Sequence, residues 1–82
     1  MEANEIEKKV TSLVADQMGI EKNKITLDTS FKNDLNSDSL DMVELVMVFE
    51  DTFNITISES DMENMQFVGQ VVDYICDHQK GG

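Results

Sequence analysis

Ile6, Val10, Leu13, Val14 and Met18 fall at nearly i, i+4, i+7, i+8 and i+12, a spacing that puts five apolar side chains on one stripe of a helix. Such a stripe must be buried against something, so this stretch constrains the fold more than any other. It predicts a first helix over about residues 3–18, and Gly19 stands where a helix-ending residue belongs. The chain contains no proline that would interrupt such a segment.

Residues 20–37 break the pattern. Ile20, Ile25, Leu27, Phe31 and Leu35 are scattered among polar residues with no sustained period. A loop this long inside a small domain is held by buried anchors, and these five apolar residues are the expected ones. A second helix is expected from Asp38 or Ser39 to about Phe53, with Leu45, Val46, Phe49 and Phe53 in one buried sector. Ser58 is a cap candidate for a short helical turn over about residues 59–64. A last helix over about residues 68–78 would bury Val68, Val71, Val72 and Ile75. Ile55-Thr-Ile57 is rich in branched residues but is only three residues long and has no partner strand, so it reads as extended loop. The expected fold class is therefore all-α, a four-helix bundle with one short helix and a long first loop. Its 82 residues make one domain with an ordered core of about residues 3–78.

The net charge of −11 is unevenly placed. Five of the six lysines lie in the first 32 residues beside six acids, whereas residues 33–79 hold eleven Asp or Glu and no cation. Such a field repels nucleic acid and anionic membrane surfaces and attracts basic protein surfaces. Solubility alone would account for a negative balance but not for the complete absence of cations over that stretch. No run approaches the about 18 apolar residues of a membrane span. The N-terminal residues lack the basic and apolar parts of a secretory leader. With one cysteine, Cys76, no internal disulfide framework is possible, and a reducing cytoplasmic setting is expected. Cys76 reads as a small boundary hydrophobe rather than a nucleophile.

Asp34-Leu-Asn-Ser-Asp-Ser-Leu-Asp41 leads into the second helix. Ser39 falls at the helix start, where unpaired backbone N–H groups and the positive end of the dipole favour a phosphate. Geometry alone supports a plainer role, since Ser and Asp are common caps and Asp38 or Ser37 would serve as one. On the helical wheel Leu40, Val43 and Met47 fall away from the buried sector, on the side of Asp41, Glu44 and Asp51. Apolar residues rimmed by acids on a solvent face form a docking patch, with the acids steering approach and the apolar groups supplying contact area.

Asp38-Ser39-Leu40, then Asp41-Met-Val-Glu-Leu-Val-Met47 and Phe49-Glu-Asp-Thr-Phe53, resembles the phosphopantetheine attachment motif and recognition helix of the acyl carrier protein family. The likeness extends from about Ile6 to Ile75, through Phe31 and Leu35, Ile55 and Ile57, and Val68 with Tyr74-Ile75. It implies that Ser39 receives 4′-phosphopantetheine from coenzyme A through a separate phosphopantetheinyl transferase. The arm's thiol would then carry acyl groups as thioesters to fatty acid synthesis enzymes with basic docking patches. It also implies docking through Asp38, Leu40, Asp41, Val43, Glu44, Met47, Glu50 and Asp51. A further implication is an interior of Leu45, Val46, Phe49, Phe53, Val68, Val72 and Ile75 that shelters the acyl chain. On this reading the protein is a non-catalytic, monomeric carrier that binds neither nucleic acid nor membrane. Three departures stand out. Asn36 replaces a usual Gly in a turn that Asn tolerates, Ser58 replaces a common Pro, and Phe67 replaces a Thr that often caps the last helix, which predicts a weaker cap there.

Other chemistries fit less well. Asp34, Asn36 and Asp38 repeat the first ligands of a calcium loop, but the sixth position is Ser39 instead of Gly and the twelfth is Leu45 instead of Glu. A hydrolase would need a base for Ser39, and the one histidine, His78, lies at the far end of the last helix. Cys76 and His78 alone do not make a metal site. Gly81-Gly82 matches the terminus of ubiquitin-like proteins, whose β-rich fold this pattern does not support. Two readings remain beside the fatty acid carrier: a carrier for polyketide or aminoacyl units, and an acidic helical adaptor that bears no arm. The acidity of the second helix and the standalone length favour fatty acid synthesis.

Overall fold

The computed structural model describes residues 2–36 and 38–80, the side chains of 79 and 80 aside. Among the described residues four α-helices follow one another: α1 (Ala3–Met18), α2 (Ser39–Phe53), α3 (Glu59–Asn64) and α4 (Val68–Lys80), with one 3-10 turn at Lys22–Lys24. No strand forms among the described residues, and the one β contact is an isolated antiparallel bridge between Ser30 and Phe67. Ile55-Thr-Ile57 is extended loop, and α4 runs two residues beyond its expected end.

α1 packs against both α2 and α4. Its stripe enters the core as expected through Ile6, Val10 and Val14, joined by Ala15, while Leu13 and Met18 are half-buried at its edge. The helix ends because Gly19 adopts the left-handed conformation at φ 69°, so that its N–H and that of Ile20 both reach the Ala15 carbonyl. At the end of α2, Asn54 does the same at φ 55°. Asn36 holds φ 54°, the conformation expected for the residue replacing glycine.

The long loop is pinned, but not by all five expected anchors. Phe31 and Ile25 are buried, and Ile20 and Leu35 pack partly against the core. Leu27 instead is 42% exposed, because its backbone rather than its side chain does the anchoring. Its carbonyl accepts the Gly69 N–H at 2.8 Å, the Thr29 carbonyl accepts from Val68 at 3.0 Å, and the Phe31 N–H donates to the Gln66 carbonyl at 3.0 Å. The Gln70 side chain adds bonds from the Gln66 and Phe67 N–H groups at 2.8 and 2.9 Å. The start of α4 is thus fully served without a capping hydroxyl at 67, which corrects the expected weakness. Thr29 and Ser30 are buried polar residues that hold this arrangement together. The Thr29 hydroxyl accepts from the Thr26 N–H, and the Ser30 hydroxyl accepts from the Asn33 N–H.

α3 is short and is tied down at its first turn through Asp61. The Ser58 hydroxyl accepts the Asp61 N–H at 3.1 Å, a cap, and the Tyr74 hydroxyl of α4 donates to the Asp61 carboxylate at 2.7 Å. Met65 is buried and Met62 half-buried beneath it.

Candidate functional site

Ser39 is the first residue of α2, and its side chain is exposed. The turn before it is organised by Asp38 and Asp41 in a reciprocal capping box. The Asp41 N–H donates to the Asp38 carboxylate at 2.9 Å, and the Asp38 N–H donates to the Asp41 carboxylate at 3.2 Å. Asp38 is therefore the cap, and Ser37, the other cap candidate, lies outside the described residues. The helix start closes upon itself, leaving the Ser39 hydroxyl presented outward near the positive end of the helix dipole.

The face of α2 opposite the core carries the expected apolar groups: Leu40 is 67% exposed, Met47 61% and Val43 40%. Glu44 and Asp51 are exposed on the same face. Glu44 accepts from the Gln17 side chain at 3.0 Å, which links this face to α1. Glu50 differs from the other acids. It is half-buried, and its carboxylate accepts the Ile57 N–H at 2.7 Å, so it braces the segment that follows α2.

Leu45, Val46, Phe49, Phe53, Val68, Val72 and Ile75 are all buried, none more than 7% exposed, with Val71 among them. None of the seven lines the open cleft of about 880 Å³ that borders Ser39, whose apolar wall consists of Phe31, Met42, Met62, Met65 and Phe67. These residues were not foreseen as site residues. The signal for them was faint: Met42 lies at the edge of the buried sector of α2, and Met62 and Met65 are a lone i, i+3 pair in and just after a six-residue helix. Methionine suits a wall that must adapt, since its unbranched side chain repacks at little cost.

A phosphate-linked arm on Ser39 fits these surroundings. The hydroxyl is accessible, the helix start favours an anion, and the cleft beside it gives an extended group a surface to lie on. Among the described residues no group of three His, Cys, Asp or Glu side chains is placed to hold a metal ion. No helix of the described residues is long and apolar enough to cross a membrane. His78 stacks on Tyr74 with ring centroids 4.0 Å apart, its Nδ1 2.9 Å from the Tyr74 carbonyl, and Cys76 is half-buried against the core.

Comparison with known proteins agrees with the geometry. The family model for a phosphopantetheine attachment site matches residues 8–75. The chain is 49% identical over 75 residues to an acyl carrier protein of Akkermansia muciniphila, covering 92% of this chain and 94% of that one. It is 46% identical over 79 residues to an acyl carrier protein of Lactobacillus johnsonii, covering 96% and 99%. The solved structure of the acyl carrier protein from Enterococcus faecalis aligns with a TM-score of 0.78 at 37% identity, over 92% of this chain and 95% of that one. With its fold, its exposed helix-start serine and these relatives in agreement, the chain belongs to the acyl carrier protein family, whose members bear a covalently attached phosphopantetheine group.

Proposed function

We propose that this chain carries acyl intermediates for fatty acid synthesis on a 4′-phosphopantetheine arm attached to Ser39. The observation that carries the proposal is the pairing of an exposed serine, on a helix start that caps itself, with three exposed apolar residues on the same helix. A modifying enzyme must reach the hydroxyl without unfolding its surroundings. Among the described residues the bonds of this turn join Asp38 to Asp41 and Met42, and none of them uses the Ser39 hydroxyl. The arm, once attached, supplies a thiol that holds acyl groups as thioesters.

The chain's own part is presentation. Leu40, Val43 and Met47 would dock on a partner enzyme, with Asp38, Asp41, Glu44 and Asp51 orienting it against a basic patch. Glu50 contributes through the fold, by bracing Ile57. The seven buried residues would shelter an acyl chain that enters past Met42, Met62 and Met65. The protein would work as a single-domain, non-catalytic monomer in the cytoplasm, modified by a phosphopantetheinyl transferase.

The test is intact mass after incubation with coenzyme A and such a transferase. A gain of one phosphopantetheine, absent in Ser39→Ala, is expected. No gain would leave only an acidic adaptor, and a gain that persists in that variant would overturn attachment at Ser39. Loading of the modified protein by fatty acyl, polyketide and aminoacyl enzymes in parallel then assigns the cargo. Preference for a polyketide or aminoacyl enzyme would overturn the fatty acid assignment.

A further inference from the structure

Lys32 is the only cation between residues 25 and 79. It lines the same cleft as Ser39, in company with Asp38 and Glu63. Among the described residues its ammonium has no hydrogen bond or ion pair, although acids outnumber it in that lining. An exposed lysine that lines this cleft and is bound to neither of its two carboxylates is available to another anion.

The arm brings one. A phosphodiester on Ser39 places a negative charge beside Asp38 and Asp41, which both carry the same sign and are held in place by the capping box. The dipole of α2 offsets part of that repulsion. Among the described residues Lys32 is the one full positive charge lining the cleft, on a flexible stem that lets its ammonium follow a moving phosphate. Asn33 and Gln66 line the same cleft with side-chain amides that match the amides of the arm.

We propose that Lys32 is a positioning residue for the arm: its ammonium pairs with the Ser39 phosphodiester and turns the arm into the cleft walled by Met42, Met62 and Met65. The acidic outer face of α2 then stays clear for a partner. This rests on attachment at Ser39.

The experiment uses the modified protein with Cys76→Ala, so that the arm's thiol is the only thiol and takes a nitroxide label. Relaxation enhancement of backbone amides by NMR reports where the label spends its time. Amides of residues 62–67 should be enhanced more than those of residues 40, 43 and 47. An exposed ion pair shifts such a preference by about two- to fivefold, so Lys32→Glu should lose that much. Lys32→Arg should keep it, and about 1 M salt, which shortens the screening length to about 3 Å, should mimic the loss. Equal enhancement on both faces, or a pattern unchanged in Lys32→Glu, would overturn the proposal. Intact mass of the same samples separates this outcome from a failure of attachment.

Discussion

The starts of α2 and α4 solve one problem in opposite ways. Each has N–H groups that the helix itself cannot bond. At α2 the solution is local: Asp38 and Asp41 exchange bonds within a single turn, and Ser39 between them stays exposed. At α4 it is distant: carbonyls of Leu27 and Thr29, far back along the chain, reach Gly69 and Val68, with Gln70 reaching back to close the turn. A start that other enzymes must approach keeps its bonds to itself. The α4 start is instead tied into the loop that precedes α2, through Leu27 and Thr29. The difference also governs what a mutation does. Damage to α4's start should be felt through the whole loop, whereas damage to α2's start should stay where it is made.

Phe31→Ala tests that contrast most severely. Phe31 is 2% exposed and anchors the loop that caps α4. Its loss should cost about 3–5 kcal/mol in urea unfolding, with faster hydrogen exchange at Val68 and Gly69. A loss below about 1 kcal/mol with both amides still protected would show that the loop does not hold the helix start. Gly69→Val comes next. A Cβ there would stand 3.0 Å from the Leu27 carbonyl oxygen and 3.3 Å from its Cβ, so the loop must move away. About 1–3 kcal/mol of destabilisation is expected. A Gly69→Val protein as stable as the parent would mean that the close approach is dispensable.

At α2, Asp38→Ala should cost only about 1 kcal/mol, because one cap is lost and nothing distant depends on it. Asp38→Asn keeps an equivalent cap and removes the charge. Thermal unfolding should therefore distinguish the two variants, while transferase kinetics should slow in both if the partner reads charge. Slowing in the Ala variant alone would assign Asp38 to capping only.

The smallest effect belongs to the clamp between α3 and α4. Burial, then the hydrogen bond to Asp61 and the charges of Asp61 and Glu50, push the Tyr74 hydroxyl up to about 12. An unfolded tyrosine titrates near 10, at about its unperturbed value. The folded protein therefore binds the proton more tightly. This contribution to stability is complete below pH about 10 and is lost as pH rises towards about 12. Tyr74→Phe should unfold with a shallower alkaline dependence over that window. Parallel curves for the two proteins would show that the clamp does not couple to folding.

What was legible in the sequence follows the same division between local and distant. The α1 stripe, the Gly19 stop, the left-handed Asn36, the Ser58 cap and the two faces of α2 depend on residues a few positions apart, where helical geometry allows no choice. Exposed Leu40, Val43 and Met47 could be read because a wheel with one buried sector must have another that is not. Other features could not be read: the outward Leu27, the inward Glu50, the buried Thr29 and Ser30, and the cap of α4 without a hydroxyl at 67. The side-chain bonds of Thr29, Ser30 and Gln70 reach only three or four residues. The burial or exposure of each group, and the backbone bonds that complete α4, turn on partners at no fixed sequence offset. The methionine wall of the cleft belongs with them, since a cleft exists only where α2, α3 and the loop come together.

By itself, then, the sequence determined the helices, the presentation of Ser39 and the acids around it, because capping and amphipathic periodicity operate within a single turn or two. The tertiary structure alone decided which acid braces a loop, whose carbonyls complete α4, and that Lys32 and Ser39 share one cleft. Those outcomes depend on buried polar groups finding partners wherever packing brings them, and packing joins residues that the chain keeps far apart.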